Sequence, residues 1–163
     1  MDHISNEYLR NAVMTASPEQ LHLMLYDGAI RFTRQGIEGV RQEKWDDAFR
    51  GFSRAQKIIL EMTNALNYDV DRKLCTRMAG LYNFLYKKLV EASVQRDPQI
   101  GEEVLRLLEY QRETWMMLID KLRQQGSGGE EEASSSQTDQ PVAADGLSQG
   151  DDHKSYGTLS VQG

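Results

Sequence analysis

The sequence has few of the residues that mark disulfide scaffolds, signal peptides or membrane spans. Cys75 is the single cysteine in 163 residues, so no disulfide can form within the chain, as is typical of a reducing compartment. No run approaches the roughly 18 consecutive apolar residues of a membrane-spanning helix. The amino terminus, "MDHISNEYLRNAV", has an early acidic residue and no apolar core, unlike a secretory signal. We therefore expect a cytoplasmic protein that does not insert into a membrane.

Residues for catalysis or metal binding are also scarce. The chain has three histidines, His3, His22 and His153, and two of them lie in terminal segments. The two Glu-x-x-His motifs of a di-iron bundle site are not present together. We find no zinc-spaced Cys or His cluster, no phosphate-binding glycine loop and no nucleophile elbow. The sequence therefore predicts no metal, no cofactor and no enzyme activity.

The chain also lacks a basic surplus. Its formal net charge is −6, and all of this charge lies in the last part of the sequence. Residues 1–125 contain 18 acidic and 18 basic side chains, whereas residues 126–163 contain seven acidic side chains and one lysine, Lys154. Nucleic-acid binding needs a concentrated basic surface that releases phosphate counterions. We therefore expect no nucleic-acid partner.

Residues 126–163 are rich in Gly, Ser and acidic residues and poor in large apolar ones. Such a segment cannot bury enough surface to offset its ordering entropy. We predict a disordered acidic tail over 126–163.

Four segments within residues 17–125 carry apolar residues at helical spacing. The first begins with a clear start signal, in which Ser17 is the N-cap, Pro18 the first helical residue and Gln20 the partner in a capping box. The predicted helices run from Pro18 to Val40, Trp45 to Leu66, Arg72 to Val94, and from Pro98 onward. Short turns between four helices favour an all-α, antiparallel four-helix bundle over residues 17–125.

The predicted helix 18–40 is apolar on two opposite faces. We assign Leu21, Leu25, Gly28 and Phe32 to the bundle core, with Gly28 allowing a neighbouring helix to approach closely. The opposite face then carries surplus apolar residues, namely Leu23, Tyr26, Ile30 and Ile37. Helix 72–94 repeats the feature with Ala79, Tyr86 and Val90, whereas helix 45–66 does not share it.

Large exposed apolar patches usually mark interaction sites, so these surplus residues predict a groove for a partner. Two alternatives stay open, namely that helix 18–40 is simply central in the packing, or that the surplus faces form a homodimer. The segment 1–16 contains apolar residues between Ile4 and Met14 but is too short to fold independently. It either frays or lies over the bundle as a cap on the groove.

A further alternative concerns His22. Histidine phosphotransfer modules are four-helix bundles with an exposed helical histidine, so His22 is a candidate phosphoryl acceptor. However, the residues after it, "LMLYDG", include no Lys or Arg and place apolar side chains in the next turn.

From Asn6 to Leu122 the chain resembles the FliS family of flagellar secretion chaperones. The resemblance rests on "NEYLRNAVMTASPEQLHLMLYDGAIRF", "AFRGFSRAQKIILEMTNALN", "LYNFLYKKLVEAS" and "YQRETWMMLIDKL", in this order and with the family's spacing. It implies a helical-bundle chaperone that binds the carboxy-terminal segment of flagellin in the cytosol, prevents premature polymerisation and delivers it to the flagellar type III export gate. No catalysis is implied.

The resemblance also gives Tyr8 a role, because it matches the tyrosine of a family segment implicated in groove covering and docking to the export gate. The isoleucine that some members carry three positions earlier is Ser5 here. The partner-binding residues predicted in total are Tyr8, Leu23, Tyr26, Ile30, Ile37, Ala79, Tyr86 and Val90.

Overall fold

The structure, a computed structural model, describes the backbone of residues 2–131 and the side chains of residues 3–126. Within this part of the chain there are five α-helices and no strand. They are α1 (Asp2–Thr15), α2 (Pro18–Arg41), α3 (Trp45–Asn64), α4 (Arg72–Gln95) and α5 (Pro98–Glu131).

Helices α2 to α5 form the bundle. Helix α2 packs against α3 and α5, and α4 packs against the same two helices, so the four helices enclose one core. Short turns connect consecutive helices, which makes sequence neighbours antiparallel. The predicted all-α, antiparallel four-helix bundle is confirmed.

The helix starts follow the local signals in the sequence. Ser17 Oγ accepts a hydrogen bond from the backbone N–H of Gln20 at 3.2 Å, and Gln20 Oε1 accepts one from the backbone N–H of Ser17 at 3.1 Å. This is the predicted capping box. Asp71 caps α4 in a similar way, because its Oδ1 accepts from the N–H of Leu74 at 2.9 Å.

Glycines allow α2 and α3 to approach closely. A Cβ added at Gly51 of α3 would lie 2.4 Å from the backbone nitrogen of Gly36 in α2, so the two backbones are in direct contact there. A Cβ at Gly28 would lie 2.9 Å from Cδ1 of Ile58. The packing role predicted for Gly28 is therefore confirmed.

The core consists of apolar side chains from all four bundle helices. Full burial of one such side chain contributes about 1.5–3 kcal/mol relative to exposure. The largest fully buried side chains are Tyr26, Thr33, Phe52, Ile59, Met62, Tyr82, Leu85, Leu89, Val104 and Leu108.

The structure corrects the division of α2 into a core face and a free face. Tyr26, Ile30 and Ile37 are only 1%, 6% and 3% exposed and belong to the core, and Leu23 is half-buried. The expectation that these residues lie on a surplus face is wrong. The physical reason is that α2 has a neighbour on each side, α3 and α5, and needs apolar residues towards both.

Several residues near helix ends also differ from expectation. Helical periodicity places Leu74 on the apolar stripe of α4 and Leu118 and Leu122 on that of α5, but all three are about half exposed. Ile119, outside the main apolar stripe of α5, is buried. Trp115 Nε1 donates a hydrogen bond to the backbone oxygen of Glu19 at 3.2 Å, which places it beside the start of α2. The α5 residues after Trp115 therefore extend beyond the first turn of α2 and no longer pack against that helix.

The two ends of the chain add further findings. Residues 2–15 form helix α1, whose side chains Ile4, Tyr8 and Met14 are almost fully exposed, so α1 does not cover the bundle as a cap. Helix α5 continues to Glu131, beyond the predicted end of the bundle at Gln125. The rest of the predicted disordered tail, 132–163, lies outside the described residues.

Candidate functional site: an apolar groove between α3 and α4

Exposed apolar side chains gather along the boundary of α3 and α4. At about 100° per residue, the three from α3 fall within about 60° of one another, and the three from α4 within about 80°. Two of them, Phe49 and Val94, are 63% and 77% exposed. We name this surface the α3–α4 groove and define it by Trp45, Phe49, Leu60, Tyr86, Val90 and Val94.

Contacts at both ends of the helix pair show that these residues lie on the shared side. The guanidinium carbon of Arg96, just after α4, lies 4.3 Å from the centroid of the Trp45 ring at the start of α3. At the other end, Cys75 Sγ of α4 donates a hydrogen bond to the backbone oxygen of Asn67, after α3, at 3.2 Å. Since Cys75 and Tyr86 lie about 20° apart around α4, Tyr86 is on the side of α4 that faces α3. From Trp45 to Leu60 the groove is about 22 Å long.

The boundary between α2 and α5 has a different chemistry. Three ion pairs join these helices, namely Arg34–Glu109, Arg41–Glu102 and Asp27–Arg112. Among the side chains of residues 3–126, no ion pair joins α3 to α4. Ion pairs therefore bridge the α2–α5 boundary, where two open pockets lined by residues of both helices also lie, whereas the α3–α4 groove presents apolar side chains to an incoming partner.

The structure brings together only some of the predicted partner-binding residues. Tyr86 and Val90 lie in the groove, and Ala79 is half-buried on the same side of α4. Tyr8 is exposed on α1, away from the groove residues in sequence and element. The other four belong to α2 and are buried or half-buried, as described above. Partner binding by any of the eight stays a prediction.

The sequence analysis missed the groove residues of α3. Helix 45–66 is expected to have no surplus apolar face, because Phe49 falls close to its main apolar stripe. Trp45, Phe49 and Leu60 lie beyond one margin of the buried stripe of α3, and Phe52 is the buried residue at that margin. Their angular offset from Phe52, about 20°, 60° and 80°, is the signal that distinguishes them from core residues.

A buried polar cluster connects α2, α4 and α5. The hydroxyl groups of Tyr26 and Tyr82 lie 3.2 Å apart, and the Tyr26 hydroxyl donates to Gln111 Oε1 at 3.2 Å. Burial raises the pKa of both tyrosines, so they stay protonated and act as neutral hydrogen-bonding groups. This cluster satisfies polar groups inside the core.

His22 belongs to the same cluster. Its Nε2 lies 3.3 Å from the Tyr82 hydroxyl, and its ring centroid lies 4.7 Å from that of Trp115. Burial lowers the pKa of His22, because the protonated ring would lose hydration. A phosphotransfer histidine is exposed, so this environment does not support His22 as a phosphoryl acceptor.

Two general searches complete the description of residues 2–131. No group of three or more His, Cys, Asp or Glu side chains in this part of the chain is arranged to hold a metal ion. No helix there is long and apolar enough to cross a membrane.

The fold and sequence were compared with known proteins. A solved structure described as a flagellar chaperone from bacteria aligns with a TM-score of 0.61 over 73% of this chain and 97% of its own. Its sequence identity is 19%, so this likeness supports the fold alone.

Relatives with named functions are closer in sequence. The flagellar secretion chaperone FliS of Bacillus subtilis is 32% identical over 124 residues, which cover 75% of this chain and 92% of the relative. The protein of the same name from Salmonella typhimurium is 32% identical over 124 residues, which cover 69% of this chain and 84% of the relative.

The family model described as "Flagellar protein FliS" matches residues 1–122, which include the helices that form the α3–α4 groove. This family consists of chaperones and not of enzymes. The chain therefore belongs to the FliS family of flagellar secretion chaperones.

Proposed function

We propose that this protein is a cytoplasmic export chaperone that binds the carboxy-terminal segment of flagellin in the α3–α4 groove. Binding keeps that segment from polymerising early, and the complex is then delivered to the flagellar type III export gate. The observation that carries the proposal is the exposed apolar groove. The bundle that presents it is otherwise well packed, with its buried polar groups hydrogen-bonded. Among the described side chains, no buried polar atom lacks a hydrogen-bond partner.

The groove has the dimensions and chemistry of a site for an amphipathic helix. A helix of about 15 residues spans 22 Å, which matches the distance from Trp45 to Leu60. Apolar side chains spaced three and four residues apart on such a helix would contact the groove residues of both α3 and α4. This recognition mode suits the terminal segment of a subunit that is held unassembled until export.

The affinity must come from buried apolar area. A segment that is unstructured before binding loses conformational entropy when it is ordered, and this loss opposes association. Burial of apolar surface contributes about 25 cal/mol per Å² against that cost. A flat polar surface could not provide this contribution, whereas six large apolar side chains in one groove can.

Delivery to the export gate is assigned to helix α1. Its side chains Ile4, Tyr8 and Met14 are exposed, and the helix packs weakly on the bundle. A short amphipathic helix with an uncovered apolar face is suited to docking on a second protein. In this proposal the groove binds cargo and α1 contacts the gate.

The experiment that tests the function is a calorimetric titration of the carboxy-terminal segment of flagellin into the full-length protein. We expect one-to-one binding with a micromolar or lower Kd and a negative heat-capacity change, the marker of apolar burial. A matched peptide with the same composition in scrambled order is the control. Absence of saturable binding, or equal binding of the scrambled peptide, would contradict the proposal.

A further inference from the structure

Helix α4 has a surplus of basic side chains that α2 and α3 lack. It carries five basic side chains, Arg72, Lys73, Arg77, Lys87 and Lys88, and one acidic side chain, Glu91. Helices α2 and α3 each carry three acidic and three basic side chains. Helix α4 therefore carries a net positive charge, whereas α2 and α3 are each neutral.

Most of these α4 charges have no partner in the described part of the chain. Lys88 Nζ lies 3.1 Å from Glu91 Oε2, one turn further along the same helix. Among residues 3–126, no acidic side chain pairs with Lys73, Arg77 or Lys87. By contrast, Arg34 and Arg41 of α2 and Arg112 of α5 are paired across the helix boundary.

The basic side chains share the outward side of α4. At about 100° per residue, all of them except Arg72 fall within an arc of about 100° on the side away from the buried stripe. Phe84 lies within this arc and is about half exposed, and an added Cβ at Gly80 would meet no atom within 4 Å. We name this surface the basic face of α4 and define it by Lys73, Arg77, Phe84, Lys87 and Lys88.

We infer that residues 132–163 of the same chain dock on the basic face of α4. This segment contains five acidic side chains and one basic side chain, Lys154, and it follows Glu130 and Glu131 at the end of α5. Its acidic pair Asp151 and Asp152 is followed by apolar residues near Tyr156. The segment thus offers negative charge together with an aromatic side chain, which complements a row of cations around Phe84.

The segment is long enough to reach this face. Helices α4 and α5 are antiparallel neighbours, so α5 ends beyond the start of α4. From Trp115, beside the start of α2, to Glu131 the helix rises about 24 Å. To reach the far end of α4, the segment must first return along this distance and then follow α4, which is about 36 Å long. The whole path is about 60 Å. An extended chain over 132–163 spans up to about 105 Å.

The docking is electrostatic and therefore sensitive to salt. Exposed ion pairs are individually weak, so the contact depends on several charges acting together. The screening length is about 10 Å at 0.1 M salt and about 3 Å at 1 M. The segment is expected to dock at low salt and to leave the face at high salt.

Lys87 is the residue of the basic face nearest the α3–α4 groove, because at about 100° per residue it lies about 60° from Val90 around α4. If the proposed function holds, the docked segment lies beside the cargo groove and competes with an incoming flagellin segment. This consequence rests on the proposed function, whereas the docking itself does not.

The test is paramagnetic relaxation NMR on the full chain without flagellin. A spin label is attached at Ser155→Cys in a Cys75→Ser background, where serine retains a donor for the Asn67 carbonyl. We expect amides of residues 73–88 to lose most of their intensity relative to the reduced label, and those of α2 to keep it. The intensity should return in 1 M salt.

Charge-reversal variants distinguish docking on the basic face from non-specific electrostatic attraction to the whole bundle. Lys73→Glu combined with Lys87→Glu should restore the α4 intensities at low salt, whereas Arg106→Glu, an exposed cation on α5, should leave the loss unchanged. Equal effects of both variants would overturn the assignment, as would the lack of any loss on α4.

The same experiment distinguishes two alternative occupants of the basic face, a second copy of the chain and an external acidic partner. A loss seen only when labelled and isotope-enriched chains are mixed would assign the contact to a second copy and overturn docking within one chain. No loss on α4, with these amides shifting instead on addition of polyglutamate, would assign the face to an external acidic partner. Because flagellin is absent, none of these results depends on the proposed function.

Discussion

At the scale of single residues, position relative to neighbouring helices decides what an apolar side chain does. Ile30 and Val90 are both β-branched and lie on amphipathic helices, yet Ile30 is in the core and Val90 lines the groove. The difference arises because Ile30 packs within the core, whereas Val90 lies beside, and not on, the buried stripe of α4 that includes Leu89.

Ile30→Asp is expected to destabilise the bundle. Placing a carboxylate in this apolar site without a partner should lower the free energy of unfolding by more than about 3 kcal/mol. Ile30→Val, the conservative control, should lower it by about 1 kcal/mol. Urea denaturation followed by circular dichroism measures both. An aspartate variant as stable as the valine variant would show that Ile30 is not a core residue.

His22 should make stability depend on pH. Burial lowers the pKa of the folded-state ring below its ordinary value of 6.5, so the neutral ring is favoured in the fold. Above pH 7 the ring is neutral in both states, and its full contribution to stability is present. As pH falls through 6.5 towards the folded pKa, the unfolded chain takes up the proton first, and stability decreases.

The measurement is the free energy of unfolding of the wild type and of His22→Gln at pH 7.5 and 5.5. Glutamine keeps a polar group near the Tyr82 hydroxyl but does not titrate. The wild type should lose more stability than the variant on acidification. An equal loss, or a larger loss in the variant, would contradict this role of His22.

Local signals in the sequence predicted local structure well. The capping box at Ser17 and Gln20 and the packing role of Gly28 depend on residues close in sequence or on the space that a missing side chain leaves. The exposure of Phe49 and the burial of Tyr26 depend on which helices are neighbours. Periodicity reports the direction of a side chain but not the presence of a helix on that side.

At the scale of helices, the close crossing of α2 and α3 determines the geometry of the bundle. Gly51→Ala would place a Cβ 2.4 Å from the Gly36 nitrogen and 2.8 Å from the Phe32 carbonyl oxygen, so the helices must separate. We expect a loss of about 1–3 kcal/mol in the free energy of unfolding. Thermal denaturation should show a lower Tm.

Gly80→Ala in α4 is the matched control for this substitution. No atom lies within 4 Å of the added Cβ, and alanine favours a helix over glycine by about 1 kcal/mol. This variant should have a raised Tm. A Gly51→Ala variant that is equally stabilised would contradict a close α2–α3 contact.

Helix α1 provides a test of the assignment to the export gate. Tyr8→Ala should leave the helical circular dichroism and the Tm of the bundle unchanged, because the side chain is exposed and α1 packs weakly. In flagellated cells it should reduce flagellin secretion and weaken binding to the purified gate. Arg10→Ala, on the polar side of α1, is the control. Normal secretion with Tyr8→Ala would count against this role.

Helix boundaries were predicted more accurately than the chain ends. Each bundle helix begins at the predicted residue. Prolines and caps explain the starts of α2, α4 and α5, whereas α3 begins after Lys44 without a side-chain cap. Helix α1 was expected only as a segment too short to fold independently, and α5 extends past Gln125 into a Gly-rich stretch. Gly126, Gly128 and Gly129 are residues that usually end a helix, so they placed that boundary before the end of α5 at Glu131.

At the scale of the whole molecule, each surface has a distinct chemistry. Ion pairs bridge the α2–α5 boundary, the α3–α4 groove is apolar, and the outward side of α4 is basic. The sequence predicted a neutral body with an acidic tail, but only the fold shows that the basic side chains of α4 lie together beside the groove. Because the three proposed contacts use separate surfaces, different substitutions can test flagellin binding, docking to the export gate and docking of residues 132–163 one at a time.

The most direct test of the central claim is the affinity of groove variants for the carboxy-terminal segment of flagellin, measured by calorimetry. Val90→Asp should weaken binding about tenfold or more, equivalent to about 1.4 kcal/mol, while the bundle stays folded. Val70→Asp is the matched control, because Val70 lies in the α3–α4 turn and is 81% exposed, against 37% for Val90. Wild-type affinity in Val90→Asp, or an equal loss in Val70→Asp, would contradict the α3–α4 groove as the binding site.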